Sequence, residues 1–463
     1  MPQTILIANR GEIAVRIIRA CREMGLTSVV AYSEADRHSL PVMMADHAIC
    51  IGAGPASESY LKIDRLIAAA ELCGATAIHP GYGFLSENPH FADICERCSI
   101  RFVGPSAEAI RVLGDKSQAR ALMASAGVPV IPGSGKLSNV SDAKRAAAEI
   151  GYPVMLKATA GGGGKGMRVV KSEEEMEAAF LAASSEARRA FAAGDLFVEK
   201  LLSHPKHIEI QIMADRAGNV VQLGDRDCSM QRRHQKVIEE SPCLTLGAGI
   251  RQRMGAAAIQ AAKAANYVGA GTVEFLYDDG EFYFLEMNTR IQVEHPVTEA
   301  VVRRDLVREQ LGIALGGELS FTQDEVHPRG YAMEARVTAE NVARGFAPSP
   351  GHVSFFLSPG GPGIRVDSHL FSGCDIPPFY DSLLGKVIAC GDTRQEALER
   401  LRRAIGEFWV VGVATNVLFL EHLLALPEFV NGTYDTESIE REIGRLDASD
   451  IGSLASCHTE SLS

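Results

Sequence analysis

The sequence predicts a multidomain α/β and α+β protein whose N-terminal part is a doubly wound parallel sheet. Strand-like apolar runs alternate with helix-like stretches in the first part of the chain, and such alternation is typical of a parallel sheet covered by helices. An Asp-Gly turn between two apolar runs further on predicts an antiparallel hairpin. The length of 463 residues is enough for about three domains.

Composition indicates a globular protein with large cores, since 46% of the residues are apolar. The net charge of -12 argues against a nucleic-acid surface. No apolar stretch approaches the roughly 20 residues that span a bilayer, and the N-terminus lacks an export signal. Ten scattered cysteines fit a reducing compartment, so we expect a cytoplasmic protein without membrane contact. Cys95 and Cys98 form a lone CxxC, for which packing on a helix is favoured over zinc binding.

The N-terminal sheet is predicted element by element from short apolar runs and helical spacing. Strands are expected at residues 5–8, 29–32, 48–51 and 77–79, and helices at residues 13–21 and 61–70. Ligands of such sheets bind at the carboxyl ends of the strands, where Asn9, Gly11 and loop 81–83 fall. No GxGxxG follows the first strand, so a dinucleotide site is unsupported.

A glycine-rich stretch marks the second region. A helical connection at residues 116–127 leads to a strand that ends at Lys157, and Gly161 to Gly164 follow before another strand at 167–170. Consecutive glycines allow backbone amides to approach a polyphosphate and allow the loop to close. Gly166 follows Lys165, so the Walker A spacing fails. We favour a phosphate-covering hairpin, with a flexible linker as the alternative.

A strand at 196–202 leaves this region, and residues 207–212 alternate polar and apolar side chains. His207, Glu209 and Gln211 therefore share one polar face. Residues 225–236 are rich in charge and are expected to form a loop whose cations hold anions, although a solvated charge run is equally compatible with the pattern. An alanine-rich amphipathic helix is expected at 251–265.

Two carboxylates flank the predicted hairpin turn. A two-residue Asp279-Gly280 loop would place Glu274 opposite Leu285, whereas a loop of about three or five residues would place it opposite Glu286 and on one face with Asn288. Opposed carboxylates repel, and a hard divalent cation would remove the conflict. We favour a metal site over a hairpin with solvated acids, because the hairpin strands are apolar.

The third region has strands at 331–337 and 381–388 and a helix at 396–407, and the polar segment 447–463 is expected to be a frayed, flexible tail.

Five ordered segments together resemble biotin carboxylase, an ATP-grasp enzyme, from about residue 4 to about residue 445. They are IANRGEIA at 7–14, HPGYGFLSEN at 79–88, GGGGKG at 161–166, RDCSMQRRHQK at 226–236 and EMNTRIQVEHPV at 286–297. The resemblance implies an N-terminal Rossmann-like domain at 1–114, an ATP-grasp domain at 115–320 with a mobile glycine-rich lid at about 130–203, and a mixed α/β C-terminal domain at 321–446.

The family's reaction uses ATP with Mg²⁺ or Mn²⁺ to phosphorylate bicarbonate to carboxyphosphate, and CO₂ is then transferred to N1′ of carrier-bound biotin. By resemblance, ATP is bound by Lys116, Lys157, Gly163, Gly164, Glu199, Lys200, Leu201, Leu202, His207, Gln231 and His234. The resemblance also implies that the metals are bound by Glu274, Glu286 and Asn288. Bicarbonate would be bound by Lys236, Arg290, Gln292 and the Val293 amide, and biotin by Tyr82 and Arg336.

The residues implied to be catalytic are Glu294, Arg290, Arg336 and Lys236. Bicarbonate must lose a proton before it attacks phosphorus, which suits a carboxylate such as Glu294 as general base. Arg290 offers a bidentate clamp for a planar oxyanion. Arg336 is the family's match for stabilising enolate-like charge on the ureido oxygen of biotin, and phosphate released from carboxyphosphate is the expected base for N1′.

Partners are also implied by the resemblance. A Met-Lys-Met biotin-attachment segment is missing, so we expect a separate biotin carboxyl carrier protein and carboxyltransferase subunits that choose the acceptor, with acetyl-CoA carboxylase and fatty acid biosynthesis as the leading assignment. A homodimer is expected near Arg19, Glu23 and Arg365, where Pro362 replaces the family's aromatic residue. Another ATP-grasp carboxylate-amine ligase and a non-catalytic nucleotide sensor remain as alternatives.

Overall fold

The computed structural model describes residues 3–158, 167–191 and 195–454. The chain begins with a parallel sheet of strands β1 (Thr4–Ile7), β2 (Thr27–Ser33), β3 (His47–Gly52), β4 (Ala77–His79) and β5 (Arg101–Phe102). The helices between and after them are α1 (Gly11–Glu23), α2 (Leu40–Met44), α3 (Ile63–Leu72), α4 (Pro89–Arg97) and α5 (Ala107–Gly114). The strand order β3-β2-β1-β4-β5 confirms the predicted doubly wound sheet. Cys95 is a buried free thiol on α4.

A small antiparallel sheet follows, with strand order β7-β6-β8. Its elements are α6 (Lys116–Ser125), α7 (Val140–Ile150), β6 (Val154–Ala158), β7 (Met167–Val170), α8 (Glu173–Phe191) and β8 (Leu196–Lys200). Leu156 and Val198 on the sheet pack against Met176 and Ala183 of α8 and form a separate apolar core. The glycine-rich stretch 161–166, including Gly163 and Gly164, lies outside the described residues.

The next part of the chain builds one end of a large antiparallel sheet. Its elements are β9 (Lys206–Ala214), β10 (Val220–Arg232), β11 (Gln235–Ser241), α9 (Ala248–Ala264), β12 (Gly269–Asp278), β13 (Glu281–Asn288), α10 (His295–Val302) and α11 (Leu306–Ala314). The prediction of a charge-rich loop at 225–236 is wrong, because these residues lie on β10 and β11 with a tight turn at Arg233 and His234. Arg226 pairs with Glu209 and Asp227 with Lys206 on the neighbouring strand β9, so the segment is ordered by partners that the local pattern does not reveal.

The C-terminal part completes this sheet and adds short ladders. Its strands are β14 (Tyr331–Thr338), β15 (Glu340–Asn341), β16 (Ala347–Pro348), β17 (Gly351–His352), β18 (Phe355–Leu357), β19 (Ile364–Ser368), β20 (Asp375–Ile376), β21 (Leu383–Gly391) and β22 (Trp409–Val411). Its helices are α12 (Arg394–Gly406), α13 (Val417–Ala425), α14 (Pro427–Val430), α15 (Ser438–Ile443) and α16 (Ala448–Ser453). Short 3₁₀ helices occur at Glu34–Asp36, Ala56–Glu58, Gln323–Glu325 and Val342–Arg344.

The large sheet has the order β13-β12-β9-β10-β11-β14-β21-β19. It contains strands from both the predicted ATP-grasp domain, 115–320, and the predicted C-terminal domain, 321–446. That division therefore falls between strands of one continuous sheet. The first residues of the predicted frayed tail, 447–454, are ordered. Asp447 caps α16 with its side chain, and Ile451 and Leu454 pack on the C-terminal core, whereas residues 455–463 lie outside the described residues. Among the described helices, none has the length and apolarity to cross a bilayer.

Candidate active site

Glu274 and Glu286 face each other across the β12–β13 ladder. The turn has two residues, Asp279 and Gly280, both with positive φ, as a two-residue hairpin requires. A β-bulge next to Glu274 leaves Leu285 as the extra residue and returns Glu286 to the face of Glu274. The pairing that we expected from a longer loop therefore arises from a short loop and a bulge.

The Glu274 carboxylate is buried among donors. Lys236 Nζ lies 2.9 Å and Gln292 Nε2 2.7 Å from its Oε1, and His207 Nε2 lies 3.0 Å from its Oε2. Burial alone would raise the pKa of Glu274, but Lys236 and His207 hold that pKa well below its ordinary value. The pKa of His207, which burial would lower, is raised by Glu274. Glu274 is therefore ionised at neutral pH.

Glu286 is only half-buried and its charge is less well compensated. Burial and the neighbouring Glu274 raise the pKa of Glu286 above its ordinary value, and Lys116 Nζ stands 4.0 Å away from its Oε2. Asn288 lies beside this pair and donates from Nδ2 to Glu274 at 2.9 Å. Two opposed carboxylates and an amide oxygen suit a hard divalent cation, which would relieve the repulsion that raises the pKa of Glu286. The residues present fit a magnesium site.

Glu294, which precedes α10, is held by two cations. Its Oε1 accepts from Lys236 Nζ at 2.6 Å and its Oε2 from Arg336 Nη2 at 2.8 Å. Burial alone would raise the pKa of Glu294, whereas Lys236, Arg336 and Arg226 hold it well below its ordinary value. Glu294 is therefore an ionised carboxylate at neutral pH, which is the state that a general base requires.

Arg226 is fully buried at the centre of this cluster, and the sequence reasoning assigned it no role. It donates to five side chains, which are Glu209, Gln211, Thr272, Gln292 and Thr298. Glu209 also accepts from Lys236. The polar face of β9 that contains His207, Glu209 and Gln211 was a signal for this network, because three polar side chains on one face of a buried strand need partners. The network orients Gln292 and Lys236.

Arg290 is held by Glu87, which the sequence reasoning also missed as a partner. Arg290 Nε donates to Glu87 at 2.9 Å, and its Nη2 donates to Asn288 Oδ1 at 2.9 Å. Glu87 further accepts from the Thr289 amide at 3.1 Å. Glu87 belongs to the 79–88 segment, so a contact between two of the sequence motifs sets the direction of the guanidinium.

Arg336 connects Glu294 to a second buried acid, Glu239. Arg336 Nε donates to Glu239 Oε1 at 2.6 Å. Burial raises the pKa of Glu239 to about 7, although Arg336 opposes the shift. Arg336 thus lies between one carboxylate with a low pKa and another with a high pKa, and its guanidinium is oriented by both.

Tyr82 is tied to the start of α1. Its hydroxyl donates to Glu12 Oε1, and Lys386 Nζ lies 3.0 Å from the same oxygen. Lys386 also donates to the Val293 carbonyl at 2.7 Å. The loop after β4 and the loop after β13 therefore meet through a lysine of β21.

The expected ATP-binding residues divide between the two sheets. In the small sheet, Lys157 Nζ lies 2.7 Å from Glu199 Oε2. The ammonium of Lys200 lies 6.0 Å from the centroid of the Tyr283 ring. Leu201 and Leu202 follow directly after β8. In the large sheet, the remaining residues are His207 on β9, Gln231 opposite Lys236, and the exposed His234 at the β10–β11 turn. Lys116 begins α6.

A large sheet that presents opposed glutamates, beside a small sheet that presents a partly buried Lys–Glu pair, defines the class of ATP-grasp ligases. Family models match most of the chain: "Biotin carboxylase, N-terminal domain" at 1–110, "Carbamoyl-phosphate synthase L chain, ATP binding domain" at 115–322 and "Biotin carboxylase C-terminal domain" at 334–441. The chain belongs to the biotin carboxylase family and is an ATP-dependent carboxylase.

Individual relatives agree with this membership. Biotin carboxylase 1 of Bacillus subtilis is 52% identical over 443 residues, which cover 95% of this chain and 98% of the relative. A pyruvate carboxylase subunit of Methanothermobacter thermautotrophicus is 50% identical over 445 residues, covering 96% and 91%. The biotin carboxylase domain dimer of Hydrogenobacter thermophilus 2-oxoglutarate carboxylase, crystallised with MgADP, ADP and bicarbonate, superimposes with a TM-score of 0.87 at 46% identity and coverage of 96% and 98%.

Proposed function

We propose that this chain carboxylates N1′ of biotin on a separate carrier protein, using ATP and bicarbonate, as the first half-reaction of a multi-subunit biotin-dependent carboxylase. The observation that carries the proposal is the ionised Glu294, held between Lys236 and Arg336 on a loop that also presents Arg290 and Gln292. The loop thus combines a base with donors for a small planar anion.

In the first step, bicarbonate lies against Lys236, Arg290, Gln292 and the Val293 amide. Glu294 takes the bicarbonate proton, and the resulting oxygen attacks the γ-phosphorus of ATP. The bond from that phosphorus to the ADP oxygen breaks, which releases ADP and leaves carboxyphosphate. The donors around the anion supply positioning and charge stabilisation, which dominate phosphoryl transfer.

ATP would be held between the two sheets. Its phosphates are assigned to Lys116, Lys157 and the glycines Gly163 and Gly164, its adenine to 199–202, and its ribose to His207 and Gln231 with His234 nearby. The Lys157–Glu199 contact supports this division, because it places a cation and an acceptor side by side at 2.7 Å. Glu274, Glu286 and Asn288 would hold Mg²⁺ or Mn²⁺, which when bound neutralises charge on the phosphates.

In the second step, carboxyphosphate breaks into CO₂ and phosphate, and the phosphate removes the N1′ proton of biotin. Nitrogen then attacks CO₂ and forms carboxybiotin. Arg336 is assigned to the ureido oxygen, on which negative charge develops, and Tyr82 to the biotin ring. The two contacts that orient Arg336, to Glu239 and to Glu294, support this assignment because they fix the guanidinium plane.

We assign the acetyl-CoA carboxylase reaction of fatty acid biosynthesis as the complete activity, with a biotin carboxyl carrier protein and carboxyltransferase subunits as partners. Relatives named for pyruvate and for 2-oxoglutarate show that the family serves several acceptors. Isolation of the carrier together with its carboxyltransferase subunits from source cells on immobilised chain, followed by assay with acetyl-CoA, propionyl-CoA and 2-oxo acids, tests the acceptor. Transfer to a 2-oxo acid alone would overturn this assignment while leaving biotin carboxylation intact.

We also infer a homodimer in a cytoplasmic location. Arg19, Glu23 and Arg365 line one surface groove, and a related domain crystallises as a dimer. The cysteines of the described residues are free thiols, as a reducing compartment favours. Sedimentation at micromolar concentration tests the dimer, and a purely monomeric chain would contradict it.

The decisive experiment for the chemistry is the release of phosphate from ATP with and without bicarbonate and free biotin. We expect hydrolysis to require bicarbonate and to increase with biotin. Hydrolysis that ignores both ligands but follows an amine and a carboxylate would identify another ATP-grasp ligase. ATP binding without turnover under every condition would identify a nucleotide sensor.

A further inference from the structure

Lys386 of β21 is a fully buried lysine outside the residues assigned to substrate. Its ammonium donates to the Val293 carbonyl at 2.7 Å and lies 3.0 Å from Glu12 Oε1. Burying an ammonium costs several kcal/mol unless its partners are well placed. Lys386 and Val293 are 93 residues apart in the sequence, and this hydrogen bond connects them.

The Val293 carbonyl belongs to a segment that no sheet supports. Residues 289–294 lie between the end of β13 and the start of α10, so the orientation of their peptides depends on individual hydrogen bonds. Gln292 and Glu294 are held by their side chains, through Arg226 and through Lys236. Lys386 holds the backbone between them.

Glu12 extends this contact to the opposite side of the site. Its Oε1 accepts from the Tyr82 hydroxyl and faces the Lys386 ammonium. The proposed bicarbonate loop and the proposed biotin residue Tyr82 therefore share one buried cation.

We propose that Lys386 is a positioning residue, which fixes the Val293 peptide against Glu12 and thereby places the bicarbonate-binding groups of loop 289–294. The inference rests on the proposed function, because it requires that this loop bind bicarbonate. Lys386 itself does not contact substrate and acts through the backbone of Val293.

The variant Lys386→Met removes the donor and keeps the apolar stem. We expect the KM for bicarbonate to rise roughly tenfold or more, as for other groups that orient a ligand-binding residue, while the KM for ATP stays within about twofold. Arg394→Met is a matched control, since Arg394 is also buried, binds Glu240 at 2.7 Å and donates to the carbonyls of Phe429 and Val430 away from the site. The control should lower the melting temperature and leave the ratio of the two KM values unchanged.

The double variant Glu12→Gln/Lys386→Met separates positioning from folding. It removes the charge of Glu12, the carboxylate that pairs with the Lys386 ammonium, so we expect the melting temperature to recover in part, but the Val293 carbonyl still lacks its donor and the KM for bicarbonate should stay high. If Lys386→Met does not fold, the double variant alone is compared with wild type. Recovery of the bicarbonate KM in the double variant, or a parallel rise in the KM for ATP, would overturn the positioning role. A wild-type enzyme without bicarbonate-dependent hydrolysis would instead overturn the proposed function.

Discussion

Glu274 and Glu286 lie directly opposite each other in the β12–β13 ladder although only two residues form the turn between the strands. A bulge at Leu285 compensates for the short turn. On the outer edge of β13, the Phe284 amide donates to the Pro129 carbonyl at 2.7 Å, and this contact holds the strand where the bulge begins. The bulge that aligns the two carboxylates of the proposed metal site therefore lies beside a contact with a segment that is distant in sequence.

Substitution of Glu286, a carboxylate of the proposed metal site, by Gln removes one charge and the repulsion with Glu274. We expect the Mg²⁺ concentration for half-maximal hydrolysis to rise about tenfold or more. In the absence of metal, the melting temperature should equal or exceed that of wild type, because the pKa of Glu286 is already raised by its surroundings. Mg²⁺ titration and calorimetry measure the two effects. An unchanged Mg²⁺ dependence would remove Glu286 from the site.

Substitution of the proposed base Glu294 by Gln should lower the turnover number by roughly 10²-fold or more, the usual contribution of a general base. ATP affinity, measured by calorimetry, should remain nearly intact, because Glu294 contacts Lys236 and Arg336 and none of the residues assigned to adenine. The matched control is Glu239→Gln, because Glu239 accepts a hydrogen bond from Arg336 but not from Lys236. A large loss of ATP binding in Glu294→Gln would contradict the assignment.

Substitution of Arg336 by Lys keeps the charge but loses the planar fork that contacts Glu239 and Glu294. We expect biotin carboxylation to fall by about 10²-fold, and bicarbonate-dependent hydrolysis without biotin to fall less. Both rates are measured in the same preparation. Equal losses in the two assays would place Arg336 in the bicarbonate step.

The raised pKa of Glu239 predicts a pH-dependent penalty on stability. An unfolded glutamate loses its proton near its ordinary pKa of 4.5, whereas folded Glu239 keeps it until about pH 7. Between these values the folded state binds more protons, so the contribution of Glu239 to stability falls as pH rises, by about 3 kcal/mol in all. Relative to wild type, Glu239→Gln should therefore gain stability between pH 5 and about pH 7.5 in denaturant titrations. A difference that does not change with pH would mean that Glu239 titrates normally.

Much of the fold was predictable because strands and helices have local periods. The apolar runs and helical spacings of the first hundred or so residues place β1, α1 and β4 close to where the structure has them. The charge-rich segment 225–236 was not predictable as strands, since Arg226 is ordered by partners such as Glu209 on a neighbouring strand and Gln292 on the loop before α10.

By itself, the sequence determined the parallel sheet, the hairpin and the clustering of charge after β13, because each of these features depends on residues that are close together in the sequence. Only the tertiary structure decided how those charges are paired. Arg290 meets Glu87 across 203 residues and Lys386 meets Val293 across 93, and the bulge at Leu285 lies next to the contact between Phe284 and Pro129. Buried charges take whichever partners the fold brings within hydrogen-bond distance, and no local period encodes that choice.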